Sequence, residues 1–367
     1  TPLYSSAASD VYKRQPIYSS ICYFIILVEE VHFFLNMFRA RRNNDDFAIK
    51  IVVWLMGSMA FYGIYEGVTQ NNPLFLRFFS ENALTDYKNS FLYTYNTVGS
   101  MEEALIFAML LSMSSIFILM MGNKRNKYLL YIVFGIAMFF TNKRSALLMW
   151  ILVYVIYEVL DAWFISNKRT YAVRLFKIMF GIAIGIFILS IVKIKGNTIL
   201  SLVTGKFTGL FSEDSRSYMQ RYGALIIALE LILQKNSIFG FLFGNGLSSL
   251  VGNFVTNRRT ITDLNFYVID NQYITSWYDS GFVFLILCVF ICVHFIIELT
   301  KIIVDKHIEI SLRKKSLVLL IGMILVMFYS FIIDVLTWYQ PIFIISFIIA
   351  LSNWNIKEAK KECEYTR

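Results

Sequence analysis

The chain has 367 residues, of which 57% are hydrophobic, 17% aromatic and only 16% charged, with a formal net charge of +9 and a mean hydropathy of +0.60. Too little polar surface remains to cover a soluble body of this length, which excludes an ordinary water-soluble enzyme and makes lipid the implied solvent. The positive charge reflects topology and anionic lipid rather than nucleic acid, because no basic stretch is interleaved with base-stacking aromatics.

Residues 1–15, TPLYSSAASDVYKRQ, resemble a translated sequencing-adapter peptide and are set aside, with the expectation that the natural chain is longer at its N-terminus. The apolar runs that follow are too long for strands and match about 30 Å of hydrocarbon, and helices satisfy their own backbone in lipid. The expected spans in the region 16–194 are Ile17 to Phe38, Phe47 to Tyr65, Ala104 to Gly122, Tyr128 to Phe140, Ser145 to Phe164 and Leu175 to Val192. A polar and aromatic stretch, 195–272, interrupts the series. The region 273–354 then adds Tyr273 to Ile297, Ser316 to Leu336 and Pro341 to Trp354, before a tail at 355–367. The fold class is thus an all-α polytopic membrane protein with about nine spans.

Lys and Arg collect on alternate connections, which sets orientation by the positive-inside rule. Arg39, Arg41, Arg42 and Lys50, then Lys124, Arg125 and Lys127, then Lys168, Arg169, Arg174 and Lys177 mark cytoplasmic ends. So do Lys301, Lys306, Arg313, Lys314 and Lys315, and the tail residues Lys357, Lys360, Lys361 and Arg367. The external segments are then Glu66 to Glu103, the turn Thr141 to Arg144, the 195–272 region and a turn near Trp338. Cys22, Cys288 and Cys292 lie in spans and Cys363 in the tail, so no external disulfide is implied. Cys288 and Cys292 share a helix face, but with only His294 nearby they read as small packing residues, and no metal site is legible.

Three features carry chemistry. The helix before Thr141 looks short: thirteen residues rise only about 20 Å, which would draw Lys143 and Arg144 below the interface and make Arg144 an anion clamp or a snorkelling cation. Next, Arg216 to Gly246 holds an apolar core, Tyr222 to Leu233, suited to an interfacial amphipathic helix, with Arg216 and Arg221 ahead of it and Gly240, Gly244 and Gly246 after it. Third, Asp270-Asn271 stands nine residues before Gly281 at the entry to a span, where Asp270 is either a proton acceptor or a helix cap. Tyr93, Tyr95, Tyr267, Tyr273, Trp277 and Tyr278 are candidates to stack on sugars or to form an interfacial aromatic belt. Glu102, Glu103 and Asp334 are candidates to line the cavity or, as the favoured reading, caps or ion-pair partners.

These motifs resemble the bacterial O-antigen polymerase and ligase superfamily, which includes capsular polysaccharide polymerases. The resemblance covers about residues 100 to 300. Lys143-Arg144-Ser145-Ala146-Leu147-Leu148 looks like the family's Ser-Arg-small-Leu-Leu element. Arg221, the amphipathic helix, Asn236-Ser237-Ile238-Phe239-Gly240 and Gly244-Asn245-Gly246 resemble its Arg, helix, Asn-Pro-x-x-Gly and Gly-x-Gly order, with Ser237 where Pro is frequent. Asp270-Asn271-x9-Gly281 resembles the ligase pattern His-Asn-x9-Gly, and Asp in place of His favours the polymerase branch.

The resemblance implies a membrane glycosyltransferase of the bacterial cytoplasmic membrane, acting on its external face without cofactor or metal. It would move a growing glycan from undecaprenyl diphosphate onto a hydroxyl of the next lipid-linked repeat unit. Its partners would be the undecaprenyl-diphosphate-linked oligosaccharide, membrane lipid and a chain-length regulator. In that reading Asp270 is the base, Arg144 and Arg221 clamp diphosphate, and Lys143, Arg216, Asn271, Tyr273 and Trp277 bind substrate. A ligase-type glycosyltransferase and a lipid-linked oligosaccharide flippase are the alternatives; for the flippase, internal repeats with interrupted helices would be expected, and none is legible.

Overall fold

The structure is a computed structural model that describes residues 18–40, 44–74, 95–101, 103–121, 124–165, 173, 190–191, 193–194, 197–198, 216–233, 237–246, 249–257 and 269–365. Its helices are α1 (Tyr18–Ala40), α2 (Asn44–Thr69), α3 (Ala104–Leu119), α4 (Lys124–Phe140), α5 (Arg144–Leu160), α6 (Arg216–Leu233), α7 (Ile238–Phe243), α8 (Ser249–Asn257), α9 (Gln272–Val304), α10 (Ile310–Ile332) and α11 (Tyr339–Tyr365). A π-helical turn, Asp161–Ile165, extends α5, and a short antiparallel pair joins Lys193–Ile194 to Asn197–Thr198.

Among the described residues, five helices are long and apolar enough to cross a membrane: Asp45–Thr69, Arg144–Ile165, Gln272–Val304, Ile310–Ile332 and Tyr339–Glu364. Three apolar helices are shorter, Ala104–Leu119, Asn126–Phe140 and Tyr222–Leu233. The expected span at 175–192 lies outside the described residues except for Ser190 and Ile191. Several boundaries move outward. The last helix runs on through the expected tail to Tyr365, because Ile356 and Ala359 stay buried and Lys361 pairs with Glu358 at 2.7 Å, one turn away. α4 starts at Lys124 rather than Tyr128, so its 17 residues rise about 25 Å.

The chain divides into two compact units, Thr1–Ile25, Arg169–His294 and Met327–Trp338 in one, and Ile26–Lys168, Phe295–Val326 and Tyr339–Arg367 in the other. The second unit is built around α3, whose 16 residues are all buried. A helix apolar on every side belongs in the middle of a bundle, and α2, α4, α5 and α11 pack around it. Since lipid is as apolar as Leu, close van der Waals fit must hold such helices together, and the small Ser112, Ser114 and Ser115 serve that fit. Phe34 of α1 meets Phe343 and Phe347 of α11 edge-on at 5.5 and 5.0 Å, and Phe117 of α3 meets Phe347 at 5.2 Å.

Polar contacts sort the ends of this unit. At one end Lys315 binds both Asp45 and Asp46 at 2.8 Å, and the buried Arg313 guanidinium donates to Ile303 O at 3.0 Å and Phe164 O at 2.7 Å. Those carbonyls close α9 and the π turn, where a cation also suits the helix dipole. Lys127 caps Leu119 O at 3.2 Å and lies over the Tyr157 ring. At the other end, buried Glu66 accepts hydrogen bonds from Tyr95 Oη at 2.6 Å, Val98 N at 3.2 Å and Gly99 N at 2.7 Å, and Thr97 N donates to Phe140 O at 3.1 Å. Among the described residues of this unit, Lys127, Arg313 and Lys315 therefore lie at one end, and Glu66, Tyr95 and Thr141 at the other.

Candidate functional site

In the first unit, α9 begins with a capped turn. Asn271 Oδ1 accepts the Ile274 N–H at 3.1 Å, and the Asn271 carbonyl takes both the N–H and the hydroxyl of Thr275 at 3.1 Å. Asn271, expected to bind substrate, thus has its amide oxygen committed to the cap, the role that sequence had offered to Asp270. Gln272 donates to Ser276 Oγ at 2.9 Å and accepts from Leu336 N at 2.7 Å, which ties the start of α9 to residues 335–337. Tyr273 donates its hydroxyl to Met327 O at 2.8 Å.

Nine residues into α9 the helix breaks. Gly281 has φ 90° and ψ 164°, and Gly244 has φ 86° and ψ 170°, a region open only to glycine. The two meet backbone to backbone: a Cβ on Gly244 would lie 2.2 Å from Asp279 O, and one on Gly281 would lie 2.3 Å from Leu242 O. The break takes the carbonyls just before it out of helical register, and the Gly-Asn-Gly loop replaces their partners. Asn245 N donates to Tyr278 O and Gly246 N to Asp279 O, both at 3.0 Å, and Asn245 Nδ2 adds a bond to Tyr278 O at 3.1 Å. Ser237, standing where the resembled motif often has Pro, caps α7 by accepting Gly240 N at 3.0 Å.

The same turn supplies Asp279, a residue that the sequence reading did not single out. Its carboxylate accepts Ser249 Oγ at 3.0 Å and Leu250 N at 2.8 Å, so it caps α8 from another element and meets the positive end of that helix dipole. A carboxylate inside an apolar run was the available signal. Asn253 Nδ2 reaches Tyr278 Oη at 3.2 Å. Above this turn α6 lays Ala224, Ala228, Leu231 and Ile232 on Leu250, Ile269, Ile274 and Tyr278. Trp277, a candidate sugar platform, is instead packed between Phe241 and Phe282 with centroids 5.3 Å away on each side.

Asp334, just past the end of α10, is buried and hydrogen-bonded to the Thr275 hydroxyl. Burial, and then the nearby charges of Asp279 and Asp270, push its carboxyl up to about 8, so it holds a proton at neutral pH. Asp270 itself is only half-buried. The structure therefore brings together a partly open carboxylate, a buried protonated one and a helix-capping one around the entry to α9. Among the described residues no three His, Cys, Asp or Glu side chains group as a metal ion would need.

Arg216 opens α6 and Arg221 lies in its second turn, with side chains outside the described part of the structure. Tyr93, Glu102 and Tyr267 also lie outside the described residues. Lys143 and Arg144 belong to the second unit. There Thr141 Oγ1 donates to Met138 O at 2.7 Å, and Asn142 turns left-handed at φ 58° to end α4. Asn142 Nδ2 donates to Tyr95 O at 3.3 Å. Lys143 holds the N-cap position of α5 and Arg144 its first residue, both half-exposed. Cations at the positive end of a helix are unfavourable by roughly 0.3–1 kcal/mol, so these two residues do not serve to stabilise α5. Tyr95, another candidate platform, has its hydroxyl on Glu66, and burial together with that carboxylate pushes the phenol up.

Long apolar helices, with a carboxyl cluster at the mouth of one of them, define a polytopic helical membrane protein. Compared with known proteins, the chain matches no family model and shows no significant similarity to a curated protein.

Proposed function

We propose that the chain is a polysaccharide polymerase that transfers a growing glycan from undecaprenyl diphosphate to a hydroxyl of the next lipid-linked repeat unit on the external membrane face. The observation that carries this reading is the fastening of Gly244-Asn245-Gly246 to Tyr278, Asp279 and Gly281, which joins two of the motif segments of the polymerase and ligase resemblance in one unit beside Asp270.

Diphosphate is a good leaving group, so cations that take up its charge suffice on the donor side. Arg144 and Arg221 are assigned to that clamp, with Lys143 and Arg216 as further diphosphate contacts. Asp270 takes the proton of the acceptor hydroxyl; the hydroxyl oxygen attacks the anomeric carbon, and the bond to diphosphate breaks with its electron pair. A single displacement of this kind inverts the anomeric centre. Asp334, held protonated by burial, is not available as that base. The full topology of about nine spans, with residues 195–272 outside, belongs to the same proposal.

The test is the full chain in liposomes with lipid-linked repeat units, read as a ladder of glycan lengths. A ladder is expected, and Asp270→Asn should reduce it at least about a hundredfold, in the range of a lost general base. Repeat units that cross the bilayer without elongation would instead make the protein a flippase, and an Asp270→Asn variant of full activity would remove Asp270 from the chemistry.

A further inference from the structure

α6 and α7 each have an inner face that packs and an outer face that does not. α6 turns Tyr222, Ile226 and Leu233 outward, opposite Ala224, Ala228, Leu231 and Ile232. α7 is more extreme: Ile238 is 82% exposed, Phe239 71% and Phe243 57%, while Phe241 points inward against Trp277 and Phe282. Three large apolar side chains open to water on a six-residue helix mark a binding surface rather than ordinary scatter.

The seam between Gly244 and Gly281 fixes what covers that surface. It holds α7 level with the break in α9, beside the span rather than beyond its end. The residues of α9 that follow the break, Val283, Ile286, Leu287 and Phe290, are exposed in the same unit, as they are wherever a span faces hydrocarbon. Both α7 and the part of α9 after the break thus expose large apolar side chains, and the seam fastens the one beside the other.

We propose that α7 is a membrane wedge, with Ile238, Phe239 and Phe243 inserted among the acyl chains of the bilayer beside the break in α9, and with the outer face of α6 lying at headgroup level. The wedge rests on the membrane-spanning reading of α9 and is independent of glycosyl transfer. It sets the height of Asp270 and Asp334 relative to the bilayer, since the seam ties α7 to the same turns of α9 that carry the carboxyl cluster.

Spin labels test this in the full chain with Cys22, Cys288, Cys292 and Cys363 replaced by Ala, and with single cysteines at Ile238, Phe239 or Phe243, in vesicles of phosphatidylcholine and phosphatidylglycerol. Relaxation by oxygen should exceed relaxation by a water-soluble nickel complex, as at a Phe290 control, with the order reversed at Asn245. Nickel access at all three positions equal to that at Asn245 would overturn the wedge. Shielding from both reagents would also overturn it, by showing a second protein surface or copy there. So would oxygen access that is lost only on adding a polyprenyl phosphate, which would make the row a carrier-tail groove. Should the cysteine-free chain fail to fold, the wild-type protein is photolabelled from lipids with a diazirine in the acyl chain. The peptide holding residues 238–243 should carry the label together with α9, and label confined to α9 would reject the proposal. A ladder assay run in parallel separates this outcome from the fate of the polymerase reading.

Discussion

Asp334 has a protonation state set by its surroundings: water is excluded, two carboxylates stand nearby, and the Thr275 hydroxyl is its hydrogen-bond partner. Its folded value of about 8 lies above the ordinary aspartate value of about 3.9, so the native state holds a proton that the unfolded chain releases. The sign follows. Its contribution to stability is fully present below about pH 4 and is lost as pH rises through about 8. Thermal unfolding in detergent should therefore give a lower midpoint at pH 9 than at pH 6, and Asp334→Asn, neutral at both, should shrink that difference. An unchanged difference in the variant would assign the pH dependence to other groups. Asp279 is the contrasting case, because Ser249 Oγ and Leu250 N both donate to it and tie it to the start of α8.

At the scale of elements, the seam between Gly244 and Gly281 leads to a paired prediction. Ala at Gly281 needs a backbone conformation that L residues avoid and places Cβ against Leu242 O and Phe243 C, and Ala at Gly244 meets Asp279 O in the same way. Each should destabilise by about 2–4 kcal/mol, taking strain and displaced backbone together, and the double variant should cost less than the sum because both open one contact. Gly252, inside α8 with open space where its Cβ would go, is the control: Gly252→Ala should be neutral or stabilise by about 0.5–1 kcal/mol. Midpoints of thermal unfolding for the four variants decide this, and a tolerant Gly281→Ala would remove the seam as a structural fastener. The seam also shows where sequence reading stops. The long apolar runs announced the spans through their length alone, and α6 announced its amphipathic core. Three glycines without a strand gave no hint that one of them would lie on a glycine thirty-seven positions later in the chain, because contact between distant backbones leaves no periodic trace. Asp279 stayed hidden for a related reason, its partner being the start of another helix. Tyr273, Trp277 and Tyr95 were legible as aromatics near an interface, but not as side chains already engaged by Met327 O, Phe241 with Phe282, and Glu66.

On the scale of the molecule, what the sequence said about orientation meets the packing of the second unit. Basic loops were assigned to one side of the membrane from Lys and Arg counts alone. In the second unit the start of α2, the π turn after α5, the end of α9 and the start of α10 share ion pairs and carbonyl caps through Asp45, Phe164, Ile303, Arg313 and Lys315, so these described helix ends lie at one end of the bundle. Glu66, Tyr95, Gly99 and Asn142 form the hydrogen-bonded knot at the opposite end. An even spread of basic loops over both ends would have contradicted the positive-inside assignment. The assignment of the basic end to the cytoplasm rests on the positive-inside rule. It yields a prediction that a sealed cell can test. His307 and Asn71 are exposed at opposite ends, so in a cysteine-free background His307→Cys should react with a membrane-impermeant maleimide only after permeabilisation, and Asn71→Cys in intact cells. The reverse pattern would invert the orientation that the basic residues assign to this unit. Labelling of both in intact cells would mean that the two ends do not lie on opposite sides of a bilayer, and the spanning assignment of α2 would fall with it.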